Sequence, residues 1–330
     1  MPLLGSLTSG VSALKAFAKG MEVIGDNIAN VNTTAFKSSR AQYGDNFGDI
    51  LQNSAPSPSD GNGSNVITMQ TGQGVHLSSI KADFGQGSLN TTGQATDFGV
   101  SGEGFFRVRD VVGGTEYATR AGDFRIDDQG FLVTSQGFRV QGLNEGLGQM
   151  EATIVNGQLR YALTGTTPAT TVGDLTIDTG ISIADGTLTN NTGGLFTDAE
   201  VESNAPGIVG FGVNGTGDIM LQLSNGETFA RGRMLLQKYQ DPNALVREPG
   251  NLFSGLQTAN PIGGFALSAA NNTPGLGGTG KIEQGMLELS NVDLTEEFAQ
   301  LINTQRSFQA GSRVITTADQ MLEEIVNLKR

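Results

Sequence analysis

Residues 4–31 read LGSLTSGVSALKAFAKGMEVIGDNIANV, and their spacing decides how the chain begins. Leu7, Val11, Leu14, Ala18, Met21, Gly25 and Ile28 recur at alternating steps of four and three. That spacing lines side chains along one seam of an α-helix packed on another helix. Phe17 and Ile24 widen the seam. From Leu4 to Val31 such a helix is about 40 Å long at ~1.5 Å per residue. Gly20 and Gly25 each lower helix propensity by up to about 1 kcal/mol relative to Ala, so the helix depends on a partner that covers its stripe.

The far end repeats the pattern. Leu294, Phe298, Leu301, Gln305, Phe308, Ser312, Ile315, Asp319 and Leu322 keep the four-three spacing, and Ile325 and Leu328 extend the apolar face. Asp293 followed by Glu296 matches a capping box, and Glu296 and Glu297 stand where a helix N-terminus favours negative charge. Gln305, Ser312 and Asp319 dilute the seam, which points to a multi-helix layer rather than a tight isolated dimer.

Between the two helices the periodicity changes from 3.6 to 2. Residues 41–71, including NSAPSPSDGNGSN, read as part of an extended connector. Short strand candidates follow from about residue 72, such as GFFRVRD, GDFRIDDQG and FRVQG. Turns at Asp128–Gly130 and Ser135–Gly137 make a meander with Phe124, Ile126, Leu132, Phe138 and Val140 as core candidates. Asn225-Gly226 marks a second hairpin. The stretch 145–207, rich in Thr, Gly, Asp and Asn, reads as a small inserted β module, with Leu175 and Ile177 alternating against polar partners.

The expected fold class is α+β, mainly β. The helix 1–32 and the helix 286–330 pair in a coiled-coil-like layer, and residues 33–71 form a connector arm. Residues 72–144 and 208–285 form the β core, and 145–207 an outer β domain.

Composition narrows the function. Forty-eight glycines in 330 residues suit short strands and tight turns. A net charge of −13 argues against nucleic acid and anionic membrane as partners. No run approaches the roughly 18–20 apolar residues that span a bilayer, and the opening segment does not resemble a cleaved secretory signal. The chain has no cysteine, which removes disulfides, thiolate nucleophiles and cysteine metal sites. Its single histidine, His76, reads as a surface or sheet residue. GVSGEGFF at 99–106 lacks the order of a phosphate loop, and DDQG at 127–130 lacks a calcium-loop pattern. No catalytic, cofactor-binding or metal-binding residue is expected. A β-rich hydrolase is the enzymatic alternative, because the separation of paired carboxylates is not readable from sequence.

Two apolar stripes, each poorly satisfied alone, flank a β body. Either they close one domain as an intramolecular hairpin, or many copies bury them together in a polymer. The interface residues expected for a polymer are Leu7, Val11, Leu14, Ala18, Met21, Ile28, Leu294, Phe298, Leu301, Phe308, Ile315, Leu322 and Ile325.

NIANVNTTAFKSSRA at 27–41 resembles the N-terminal motif of the bacterial flagellar axial proteins, the rod and hook subunits. NVDLTEEFAQLINTQRSFQAGSRVITTADQMLEEIVNL at 291–328 is similar to their C-terminal motif. TGQATDFGVSGEGFFRV at 92–108, YATRAGDFRIDDQGFLVTSQGFRVQG at 117–142 and GKIEQGMLELSNVDL at 280–294 match the shared core. Within the family, SSRAQYGDNFGDI and VHLSSIKADFGQGSLNTTG look hook-like, and the distal rod subunits are the alternative. The resemblance implies a homopolymer whose paired terminal helices line an export channel and whose outer domains repack in a bent, torque-transmitting joint. It implies export through the flagellar type III apparatus without a cleaved signal, to the basal body or hook outside the cell. The implied neighbours are hook cap, distal rod and hook–filament junction proteins, with no cofactor and no insertion into lipid.

Overall fold

The computed structural model describes residues 2–54, 67–144, 150–155, 158–163, 172–177, 208–224, 226 and 228–328. The fold is mixed α+β, with paired terminal helices and a large β-rich body. The chain divides into two compact units. One contains the terminal helices and Lys37–Gly85, and the other contains Thr33–Phe36 and Gln86–Asn291.

In the helical unit, α1 spans Pro2–Ala29 and α2 spans Leu294–Leu328. They pack along each other, as expected for two amphipathic stripes. The structure differs from the expected connector: β1 (Ser39–Asp45) pairs antiparallel with β4 (Val75–Ala82), and β2 (Asp49–Gln52) with β3 (Met69–Thr71). β1 and β4 also pack on α1. The polar sequence SRAQYGD carries little strand signal of its own, and this pairing and packing supply it.

In the β unit, β5 (Leu89–Thr91), β6 (Phe98–Ser101), β7 (Phe105–Arg109) and β8 (Glu116–Thr119) are followed by β9 (Arg125–Ile126), β10 (Leu132–Val133) and β11 (Arg139–Asn144). Next come β12 (Met150–Val155), β13 (Gln158–Leu163), β14 (Val172–Asp174), β15 (Ile208–Val213), β16 (Asp218–Leu223) and β17 (Thr228–Met234). The last are β18 (Leu236–Gln237), β19 (Val246–Glu248), β20 (Leu252–Ser254), β21 (Lys281–Gln284) and β22 (Met286–Glu288). The main sheet runs β15-β16-β17-β11-β7-β8-β20-β19. β21 pairs with β6 and β22 with β5.

The meander is built as its turns dictate. Gly130 and Gly137 adopt φ of 81° and 90°, and their amides close turns on Asp127 O and Thr134 O. Phe124, Leu132 and Val140 are buried in one cluster with Phe98, Phe106 and Leu236, and Phe138 packs against it. Ile126 is a correction: it is exposed, because β9 is a two-residue strand whose residues both face solvent. The second hairpin, β16–β17, carries Gly226 at φ 85°, while Asn225 lies outside the described residues. Val172–Asp174, read as part of the outer module, pairs with β11. Leu175 and Ile177 behind it join the main core. Of that module, the hairpin β12–β13 is also described, and the rest lies outside the described residues.

Candidate assembly interface

The start of α2 is set by Asp293. Its Oδ1 accepts the backbone N–H of Thr295 at 2.8 Å and that of Glu296 at 3.4 Å. These bonds hold its carboxyl below the usual range for aspartate. The reciprocal half of the expected capping box is replaced. Glu296 instead accepts from Gln300 Nε2 at 3.0 Å and lies 3.5 Å from the Arg40 guanidinium.

The seam of α2 that meets cover consists of Glu297, Leu301, Thr304, Phe308, Gly311, Ile315, Ala318 and Leu322, all buried or half-buried at four-three spacing. Leu301, Phe308, Ile315 and Leu322 are therefore on the seam that the sequence indicates. The alternating positions are one residue earlier than expected, so Phe298 is exposed along with Gln305, Ser312 and Asp319. Small residues make this register possible. A Cβ on Gly311 would meet Leu14, and one on Gly10 would meet Ile315 Cγ1 at 2.9 Å. The dilution of the apparent seam by polar residues was the sequence signal for this rotation.

On α1 the fully buried positions are Gly10, Ala16, Gly20, Ile24 and Asn27. At ~100° per residue, most of them lie roughly a quarter turn or more from the Leu7–Ile28 seam. The reason is that α1 has two partners. α2 covers one side at Gly10 and Leu14, and the β1–β4 hairpin covers another. Tyr43 stands over Gly20 and packs edge-on against Phe17, with ring centroids 5.6 Å apart. Ser12 Oγ accepts the Val75 N–H at 3.3 Å. Leu7, Leu14, Ala18, Met21 and Ile28 are left half-buried, and Val11 is exposed.

Asn27 joins three elements. Its Oδ1 accepts Ser39 N–H at 2.9 Å, and its Nδ2 donates to Ser39 O at 2.8 Å and to Glu297 Oε1 at 2.9 Å. Nothing in the sequence singles out Asn27, and Glu297 reads there only as a charge suited to a helix N-terminus. Both are buried.

Apolar surface is left over on α2. Leu294, Phe298 and Ile302 are exposed near its start, and Val314, Met321, Ile325, Val326 and Leu328 toward its end. Val314, Met321 and Leu328 are seven residues apart with Ile325 between the last two, which is a second helix-packing stripe. Among the described residues no group of three or more acidic, histidine or cysteine side chains is arranged to hold a metal. His76 is exposed on β4, with Nδ1 2.9 Å from Asn46 Oδ1. No described helix is long and apolar enough to cross a membrane.

Three family models match the sequence. "Flagella basal body rod protein" covers residues 7–37, "Flagellar hook protein FlgE/F/G D1 domain" 99–221, and "Flagellar basal body rod FlgEFG protein C-terminal" 283–328. The chain is 32% identical over 328 residues to the flagellar basal-body rod protein FlgG of Bacillus subtilis, covering 99% of this chain and 100% of that protein. The chain belongs to the flagellar rod and hook axial protein family. It is also 28% identical over 431 residues to the flagellar hook protein FlgE of Rhizobium meliloti, covering 100% of both. A solved structure of the Helicobacter pylori flagellar hook protein FlgE2 matches with a TM-score of 0.34 and 10% identity, covering 60% of this chain and 100% of that one. Rod and hook axial proteins are structural proteins rather than enzymes, which removes the hydrolase alternative. The matched terminal models cover most of α1 and the whole of α2, and the uncovered apolar stripe lies on α2.

Proposed function

We propose that this chain is a structural subunit of the flagellar axial tube, polymerising through its terminal helices, and that it is of the distal-rod type. The observation that carries polymerisation is the exposed Val314, Met321, Ile325 and Leu328 stripe, which lies about a quarter turn round the helix from a seam already filled within the chain. Covering such a stripe removes apolar surface from water at roughly 25 cal/mol per Å², and a helical array repeats that gain at every subunit. The half-buried Leu7, Leu14, Ala18, Met21 and Ile28 contribute a second edge, together with Val11. Leu294, Phe298, Leu301, Phe308, Ile315, Leu322 and Ile325 divide between the intrachain seam and the contacts between copies.

Length favours the rod. The alignment to the Bacillus subtilis rod protein runs to 328 residues for a chain of 330. Alignment to hook proteins stretches to 431 for Rhizobium meliloti and 428 for Escherichia coli. The hook reading keeps the hook-like stretches at 38–50 and 75–93 and its 28% identity along the whole chain. In either place the subunit would surround an export channel and transmit torque, and the absence of cysteine suits passage as an unfolded chain. Its neighbours would be other rod subunits and hook subunits, with a hook cap and hook–filament junction proteins further out if the chain forms the hook.

Labelling epitope-tagged subunits in isolated basal bodies tests the assignment. Label confined to the rod is the expected result. Label along the curved segment outside the envelope would establish the hook instead, and label absent from the axial structure would overturn both.

A further inference from the structure

Glu297 is 8% exposed at the start of α2. Its Oε1 accepts one hydrogen bond, from Asn27 Nδ2, and its Oε2 is buried without any hydrogen-bond partner. Both amide hydrogens of Asn27 are already committed, one to Ser39 O and one to Glu297 Oε1, so α1 has no further donor to offer from this residue. A buried carboxylate with one bare oxygen is strongly disfavoured, whereas the neutral acid carries a much smaller desolvation cost. The charged groups around it do not repair this. Glu296 on the same helix repels a second negative charge, and Arg40 on β1 attracts it but is exposed and engaged with Glu296 at 3.5 Å.

We propose that Glu297 is a proton-operated latch: the neutral carboxyl lets α1, β1 and the first turns of α2 close on one another, and its ionisation loosens that junction, so that assembly through these helices is favoured by acid. The link to assembly rests on the polymer reading above, and the latch itself does not.

The sign follows from the direction of the shift. Burial pushes the Glu297 carboxyl above its ordinary 4.5, with Glu296 adding to the rise and Asn27 and Arg40 opposing it. A group that holds its proton more tightly when folded contributes most at pH below the unfolded value. That contribution is lost as pH rises through the folded value. Ordinary surface carboxylates contribute in the opposite sense, so the two effects separate in a difference between variants.

The test compares the full-length chain with Glu297→Gln, which keeps the acceptor for Asn27 and removes the charge. Melting is followed by circular dichroism at 222 nm, which the two long helices dominate. The expected result is a midpoint about 2–4 °C higher for the variant at pH 8, shrinking towards zero at pH 4. A variant that melts lower than wild type, or that shows the same offset at both pH values, overturns the latch. A carbon-13 carboxyl titration of Glu297 in the folded wild-type chain gives an independent reading. A midpoint above the ordinary glutamate range supports the latch, and one at or below it overturns it. Sedimentation of assembled material across the same pH range should show acid-favoured assembly in wild type that is flattened in the variant. If the melting difference behaves as expected but neither chain assembles at any pH, the latch stands and the polymer reading falls.

Discussion

Tyr43 occupies the space above Gly20, so that a Cβ added at Gly20 would run into the Tyr43 hydroxyl. Helix propensity alone makes Gly20→Ala favourable by up to about 1 kcal/mol. Crowding a packed contact typically costs about 1–3 kcal/mol and reverses that sign. Gly25 is the internal control, because a Cβ there meets nothing within 4 Å. The expected outcome is a destabilised Gly20→Ala chain and a Gly25→Ala chain more stable by about 0.5–1 kcal/mol, both read from thermal melting at 222 nm. Two stabilised variants would mean that Tyr43 does not seat on α1.

These two glycines also show how much of the fold was legible. Both sit in the same helix and lower its propensity, and nothing in their local sequence distinguishes one that seats a tyrosine from one that faces solvent. Periodicity identified both helices and four of the covered positions on α2, since Leu301, Phe308, Ile315 and Leu322 are large and apolar. It missed Gly10, Gly311 and Ala318, because a close helix crossing uses small residues that carry no hydrophobic signal. It missed the Asn27–Glu297 contact because polar residues 270 apart reveal themselves only when the fold joins them. The strand β1 was hidden for a related reason: its pairing with β4 and its seat on α1 come from outside its own seven residues.

Within the β unit, Arg120 and Glu288 form a buried ion pair at 3.1 Å, with both side chains under 5% exposed. Glu288 Oε1 also accepts the Gly87 N–H at 2.9 Å, and its backbone O accepts Ala35 N–H at 2.8 Å. Glu288→Ala leaves Arg120 charged and buried, and should cost about 3–5 kcal/mol. Replacing Arg120 and Glu288 together by Met should recover much of that loss, because no uncompensated charge is left. Chemical denaturation of the three chains, followed by tyrosine fluorescence, checks the order of stabilities. A double variant no better than Glu288→Ala would mean that the hydrogen bond from Gly87, rather than the charge, holds the site.

At the N-terminus of α2 the pH dependence runs against that of Glu297. The Asp293 carboxyl lies below its ordinary 3.8 because the Thr295 and Glu296 amides donate to it. A depressed carboxyl stabilises above the unfolded value and loses that contribution as pH falls through the folded value. The first turn of α2 should therefore fray in strong acid, and Asp293→Ala should fray it already at neutral pH. Amide hydrogen exchange at Thr295 and Glu296 measures this directly. Unchanged protection in the variant would show that the cap is not what orders the turn.

The apolar stripe near the end of α2 gives the sharpest test of assembly. Leu14→Asp is a poor probe, because Leu14 already packs at Gly311 and its loss would loosen the subunit as well as any contact between copies. Val314 and Met321 are 45% and 49% exposed, so an aspartate there is solvated in the free subunit. Such surface changes usually stay within about 0.5 kcal/mol of wild-type stability. In an assembled array the same aspartate would be buried without a partner, at a cost of several kcal/mol for each copy. Val314→Asp and Met321→Asp should therefore melt like wild type yet leave no filaments in electron micrographs. Cells carrying either variant should be non-motile. Filaments of normal length from both variants would mean that this face of α2 points to solvent in the assembled state, and that the contacts between copies lie along α1.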